Sequence, residues 1–87
     1  MISVLAIKWS RRAARFVEKA PLEVARRVLD AADRLLVDPV PHDAKRVQGA
    51  RRAFRIRVGD YRIIYELNPE RKEVLILDVD KRSRVYD

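Results

Sequence analysis

The sequence predicts an α+β fold: an N-terminal strand, an antiparallel two-helix hairpin, then a three-stranded antiparallel meander that closes one sheet, with both helices on one of its faces. Three observations lead there. Apolar residues recur at helical spacing between Ala13 and Leu36, strict alternation replaces that period from Phe54 onward, and short Gly- and Pro-containing breaks punctuate the second half. The 87 residues, 1–87, are expected to form a single small domain, whose core is too small to enclose a deep active site.

Residues 2–9 are rich in β-branched and aromatic side chains with apolar positions at both parities, which suits a strand covered on both faces. Ser10 then suits a helix N-cap, and behind it Ala13, Phe16, Val17 and Ala20 keep a helical period until Pro21 interrupts it. Pro21 is tolerated at the start of a second helix, in which Leu22, Ala25, Val28, Leu29, Ala32, Leu35 and Leu36 form one apolar stripe as far as Asp38 and Pro39. Residues 40–50, holding Pro41, His42 and Gly49, have no sustained period and predict a loop, with His42 an ordinary loop residue.

Strands follow over 52–58 and 61–67, joined by Gly59-Asp60 as a two-residue type II′ turn. A second turn spans Asn68-Pro69 to Lys72, and residues 73–79 form the last strand, with Val74 and Ile76 on one parity and Leu75, Leu77 and Val79 on the other. Pairing of this interior strand with residues 2–9 closes the sheet and leaves its second face open.

Charge narrows the function. Twenty Lys+Arg against 13 Asp+Glu give a formal charge of +7, and 15 of the cations are Arg. Residues 45–62 alone hold Lys45, Arg46, Arg51, Arg52, Arg55, Arg57 and Arg62 against one acid, Asp60, a local +6. Elsewhere acids and bases interleave as on a solvated surface. Guanidinium forks grip phosphate oxygens two at a time, so this cluster points to a nucleic acid or nucleotide rather than a diffuse anionic membrane.

The chain has no Cys and one His, which excludes a disulfide framework, a cysteine nucleophile and a His-rich metal cluster. No apolar run approaches the roughly 20 residues of a membrane span, and Lys8 breaks the apolar N-terminus with no small-residue cleavage site after it. The expectation is a soluble, cytoplasmic protein without a membrane partner.

The short turn fixes a register. Counting out from Gly59-Asp60 pairs Val58 with Tyr61, Arg57 with Arg62, Ile56 with Ile63, Arg55 with Ile64 and Phe54 with Tyr65. Arg55, Arg57 and Arg62 then share one face. Opposed like charges cost up to about 1 kcal/mol in a sheet, and a violated local rule marks a candidate site, unless Asp60, Glu66 or Asp78 neutralises the group. No paired carboxylates, Gly-rich phosphate loop or metal-ligand cluster accompanies it. An arginine-lined surface suits cleavage of RNA by its own 2′-hydroxyl, where the protein orients the sugar and stabilises charge at phosphorus. Arginine is a poor general base, so another macromolecule is expected to help position the RNA.

The run Phe54-Arg55-Ile56-Arg57-Val58-Gly59-Asp60-Tyr61-Arg62-Ile63-Ile64-Tyr65-Glu66, preceded by residues 45–49 and followed by an apolar strand and Lys81-Arg82-Ser83-Arg84-Val85-Tyr86, resembles the RelE branch of the RelE/ParE toxin superfamily. The resemblance covers the whole chain in element order. It implies the toxin of a type II toxin-antitoxin system: a metal-independent, cofactor-free endoribonuclease that cleaves mRNA in the ribosomal A site and inhibits translation. Its implied partners are the ribosome, mRNA and a cognate acidic, RelB-like antitoxin in a toxin-antitoxin hetero-oligomer.

On that pattern Arg55, Arg57, Arg62, Arg82 and Tyr86 are the catalytic candidates, and Lys45, Arg46, Arg51, Arg52, Lys81 and Arg84 the RNA-binding ones. The chain departs from the family in carrying Arg at the first two catalytic positions, where the family pattern has Lys, which leaves the general base unassigned. Two other readings stand beside this one: a ParE-like gyrase poison without nuclease activity, and a non-catalytic basic RNA-binding homologue.

Overall fold

A computed structural model describes residues 6–81. The elements run β1 (Ala6–Trp9), α1 (Arg11–Lys19), α2 (Leu22–Arg34), β2 (Lys45–Arg46), β3 (Ala53–Val58), β4 (Tyr61–Asn68) and β5 (Glu73–Lys81). One five-stranded sheet has the order β1-β5-β4-β3-β2, with β1 parallel to β5 and every other pair antiparallel. The expected α+β architecture is the observed one. Residues 2–5 of the expected first strand lie outside the described residues.

The core lies between one sheet face and the two helices. Sheet residues on one face, Phe54, Ile56, Ile63, Tyr65, Leu67, Val74, Ile76 and Val79, form one buried cluster with Ala13 of α1 and with Val28, Ala31, Ala32 and Leu35 of α2 and its C-cap. Tyr65 is the largest side chain fully enclosed, and its hydroxyl donates to the Pro39 carbonyl at 2.7 Å. That bond satisfies the one polar atom the ring carries into the core and pins the chain that leaves α2. Burial and the nearby Asp38 and Asp43 carboxylates push the Tyr65 hydroxyl pKa well above its usual value.

Ser10 caps α1, its hydroxyl accepting from the Ala13 amide at 3.1 Å and donating to the Leu77 carbonyl at 2.8 Å. The second contact matters because β5 is irregular there. Pairing with β4 runs Leu67↔Val74, Glu66↔Leu75 and Tyr65↔Ile76, then resumes as Ile64↔Asp78, Ile63↔Val79 and Arg62↔Asp80. Leu77 is therefore an extra residue, a β-bulge. Ile76 and Val79 both reach the core although they are three residues apart, which a regular strand forbids. The sequence reading put Val79 on the opposite parity; the bulge moves it to the core side and turns Asp78 and Asp80 outward.

Residues 40–50 are irregular apart from β2, a two-residue strand missed by the sequence reading because it is too short to display a period. It pairs Lys45 with Arg55 and Arg46 with Phe54. The turn after β4 is held as expected from Asn68, whose side-chain oxygen accepts from the Arg71 amide at 3.1 Å. The apolar stripe of α2 is only partly covered: Ala25, Val28 and Ala32 are buried, but Leu22, Leu29 and Leu36 are exposed.

Candidate nucleic-acid interface

The interface is built by the β3–β4 hairpin. Gly59 has φ +60°, and Asp60 is not in the left-handed region, the combination a type II′ turn requires. The resulting register is Val58↔Tyr61, Arg57↔Arg62, Ile56↔Ile63, Arg55↔Ile64 and Phe54↔Tyr65, the pairing expected from the turn. With Phe54, Ile56, Ile63 and Tyr65 committed to the core, Arg55, Arg57 and Arg62 take the face turned away from the helices. Lys45 joins them through its pairing with Arg55.

β5 adds one acid to the same face. Arg57, Arg62 and Asp80 form a row across β3, β4 and β5. Arg62 Nε lies 3.2 Å from Asp80 Oδ1 and Nη2 lies 3.4 Å from Oδ2, a two-pronged pairing that sets the plane of the guanidinium. Arg62 is 19% exposed at its side chain, whereas Arg57 is an exposed residue. Among the described residues the acid paired with Arg62 is therefore Asp80 and not Asp60, Glu66 or Asp78. Asp78 instead faces Arg12 at 3.7 Å. Asp80 escaped sequence reasoning because a regular β5 would have placed Val79 opposite Arg62.

The other basic candidates divide. Arg46 shares the parity of Phe54, on the helix side of the sheet; its guanidinium carbon sits 5.4 Å from the centre of the Phe54 ring and Nη1 donates to the Arg51 carbonyl at 3.3 Å. Arg52 faces Glu70 at 3.6 Å. Arg46, Arg51 and Arg52 together rim a recess of about 490 Å³ floored by Phe54 and Leu67. Lys81 pairs with Tyr61 and therefore has the parity opposite to Arg62. Arg82, Arg84 and Tyr86 lie outside the described residues.

Chemically the face turned away from the helices carries guanidinium groups suited to phosphate oxygens, around the row that ends in Asp80. The fold and this face define a class: a small α+β protein that packs both helices on one side of its sheet and leaves an arginine-bearing surface on the other. Comparison with known proteins makes the class definite. Residues 7–86 match the family model of the ParE toxin of type II toxin-antitoxin systems, and the chain belongs to that family, as a RelE-like toxin of the RelE/ParE superfamily.

Among solved structures, the archaeal RelE-RelB complex from Pyrococcus horikoshii matches at 30% identity and TM-score 0.80, covering 98% of this chain and 100% of that one. A RelBE toxin-antitoxin complex from Mycobacterium tuberculosis matches at 26% identity and TM-score 0.78, over 94% and 100% of the two chains. The isolated Escherichia coli RelE toxin shares the fold at 18% identity and TM-score 0.80, over 98% of this chain and 88% of that one. A sequence search of curated proteins gave no match. No helix among the described residues is long and apolar enough to cross a membrane.

Proposed function

We propose that this toxin is a ribosome-dependent mRNA endonuclease. The observation that carries the reading is the row Arg57, Arg62 and Asp80 beside Arg55: two arginines opposed across a hairpin, against the local electrostatic rule, with the inner one aimed by a carboxylate. In the proposed reaction the 2′-hydroxyl of one nucleotide loses its proton and its oxygen attacks the adjacent phosphorus. The bond to the 5′-oxygen breaks and that oxygen takes up a proton, leaving a 2′,3′-cyclic phosphate and a 5′-hydroxyl end. Arg57 and Arg62 neutralise the charge that grows on the phosphoryl oxygens, and Arg55 and Lys45 hold the neighbouring backbone.

Arg82 and Tyr86 complete the site by the family resemblance, and Arg46, Arg51, Arg52, Lys81 and Arg84 serve the surrounding RNA. Arginine is too weak an acid to cycle as the general base, so the ribosome supplies the positioning and activation that these residues lack. On this reading the protein works in the cytoplasm, with mRNA and the ribosome as partners.

Its third partner is an acidic antitoxin. The similar archaeal and mycobacterial proteins are in complex with RelB-type antitoxins, and a +7 chain with six of those charges in residues 45–62 attracts an acidic segment electrostatically. The test is cleavage of mRNA in a translating extract with product ends mapped. Arg57→Ala and Arg62→Ala, folded by circular dichroism, are expected to lose cutting; cutting unaltered in both overturns the site. One observation favours a second reading, the match to a ParE model, which fits inhibition of DNA gyrase without nuclease chemistry. A gyrase supercoiling assay with a cleavage-complex readout decides between them.

A further inference from the structure

The large exposed apolar side chains of the described residues are Leu22 (72%), Leu29 (43%), Leu36 (38%), Val37 (88%) and Val40 (42%), all within α2 and the segment that leaves it. The helical path continues past Arg34, since the Leu36 amide donates to the Asp33 carbonyl at 3.0 Å and the Asp38 amide to the Arg34 carbonyl at 2.9 Å. Leu22, Leu29 and Leu36 are spaced by seven residues, so they drift only about 20° per step and form one straight line along the helix. A solvent-facing leucine line of this kind marks a protein contact.

Charge identifies the occupant. Basic residues elsewhere make this chain strongly cationic, yet α2 is balanced, with Glu23, Asp30 and Asp33 against Arg26, Arg27 and Arg34. An acidic partner is drawn to residues 45–62, and a nucleic acid has no use for leucines. Arg26 and Asp33 each lie four residues after a leucine of the line, on the same flank of it. When two such helices meet antiparallel about a two-fold axis near Leu29, Leu22 of one faces Leu36 of the other. The same operation brings Arg26 of each copy opposite Asp33 of its mate. The pattern is complementary to itself.

We propose that α2 is the contact between two copies of this chain, an antiparallel, two-fold helix pair closed by Leu22, Leu29 and Leu36 and flanked by two reciprocal Arg26–Asp33 ion pairs. The surface lies across the core from the arginine face, so both copies keep that face accessible. The test is sedimentation equilibrium of the full chain over a concentration series, with circular dichroism to verify folding.

The native chain is expected to show a monomer-dimer equilibrium and Leu29→Glu to be monomeric throughout. Arg26→Asp and Asp33→Arg singly convert two attractions into two repulsions and weaken the dimer about tenfold or more; the double exchange rebuilds both pairs and restores it. A native chain that stays monomeric at every concentration overturns the proposal. It is also overturned if the double exchange fails to recover what the single ones lose. So is a monomer whose Leu29→Glu variant loses an acidic protein partner, since the line then belongs to that partner.

Discussion

Ser10 joins two structural devices through one hydroxyl, and separating them gives the sharpest test of how α1 is attached to the sheet. The oxygen accepts from the Ala13 amide at 3.1 Å, capping a helix that has no acid in its first turn, and the proton goes to the carbonyl of the bulge residue Leu77 at 2.8 Å. Ser10→Ala removes both bonds. Loss of the cap costs about 1 kcal/mol, and loss of the partly buried bond to Leu77 costs about another 1 kcal/mol. A total of about 2 kcal/mol lowers the melting temperature of a chain this size by roughly 8–16 °C.

Ser10→Asp divides the sum. Aspartate caps as well as serine and favours the positive helix end, but it cannot donate to Leu77 and brings a carboxylate against that carbonyl. Urea unfolding followed by far-ultraviolet circular dichroism measures all three proteins. The expected order of stability is native, then Ser10→Asp lower by about 1 kcal/mol, then Ser10→Ala. Ser10→Asp as stable as the native chain would show that the bulge contact contributes nothing. A loss below about 0.5 kcal/mol in Ser10→Ala would refute the reasoning altogether.

Three other outcomes are expected. Asp80→Ala releases the Arg62 fork from its two-pronged partner and removes one negative charge from the arginine face; RNA affinity should rise in a filter-binding titration while cleavage per bound RNA falls, and a rise in both would show that Asp80 only screens the site. Tyr65→Phe loses the buried bond to the Pro39 carbonyl and should cost about 1–2 kcal/mol in denaturant titration. Because the folded state holds the Tyr65 proton more tightly than the unfolded chain, whose tyrosine titrates near pH 10, native stability should be intact below about pH 10 and fall above it; Tyr65→Phe should flatten that fall. Gly59→Ala places a Cβ at φ +60° and 2.8 Å from Arg27 Nη2, and should destabilise by about 1 kcal/mol in the same titration, with Arg27→Ala recovering only the steric part.

What could be read in advance depended on how local its cause was. The opposition of Arg57 and Arg62 was legible because a two-residue turn leaves one register, and that register is observed. The helices were legible from their apolar periods. Asp80 was not, because its direction depends on the bulge at Leu77, and the bulge is fixed by Ser10, 67 residues away in sequence. β2 was hidden by its two-residue length. The stripe on α2 read as uniformly core-facing, yet a helical period shows only that a side is apolar; whether Leu29 meets the sheet or solvent is decided by how far the neighbouring elements reach. Of the catalytic candidates, Arg55, Arg57 and Arg62 are brought onto one face, while Arg82 and Tyr86 lie outside the described residues.

The bulge also bears on how this protein can change over generations. Downstream of Leu77 every side chain is directed by a count: Val79 goes inward, Asp78 and Asp80 outward. Exchanging one of these residues alters a single position. Gaining or losing one residue between Leu77 and Asp80 would reverse them together, sending carboxylates into the oil and valine to the arginines. The stretch should therefore drift freely in composition within its inward and outward classes while its length stays frozen.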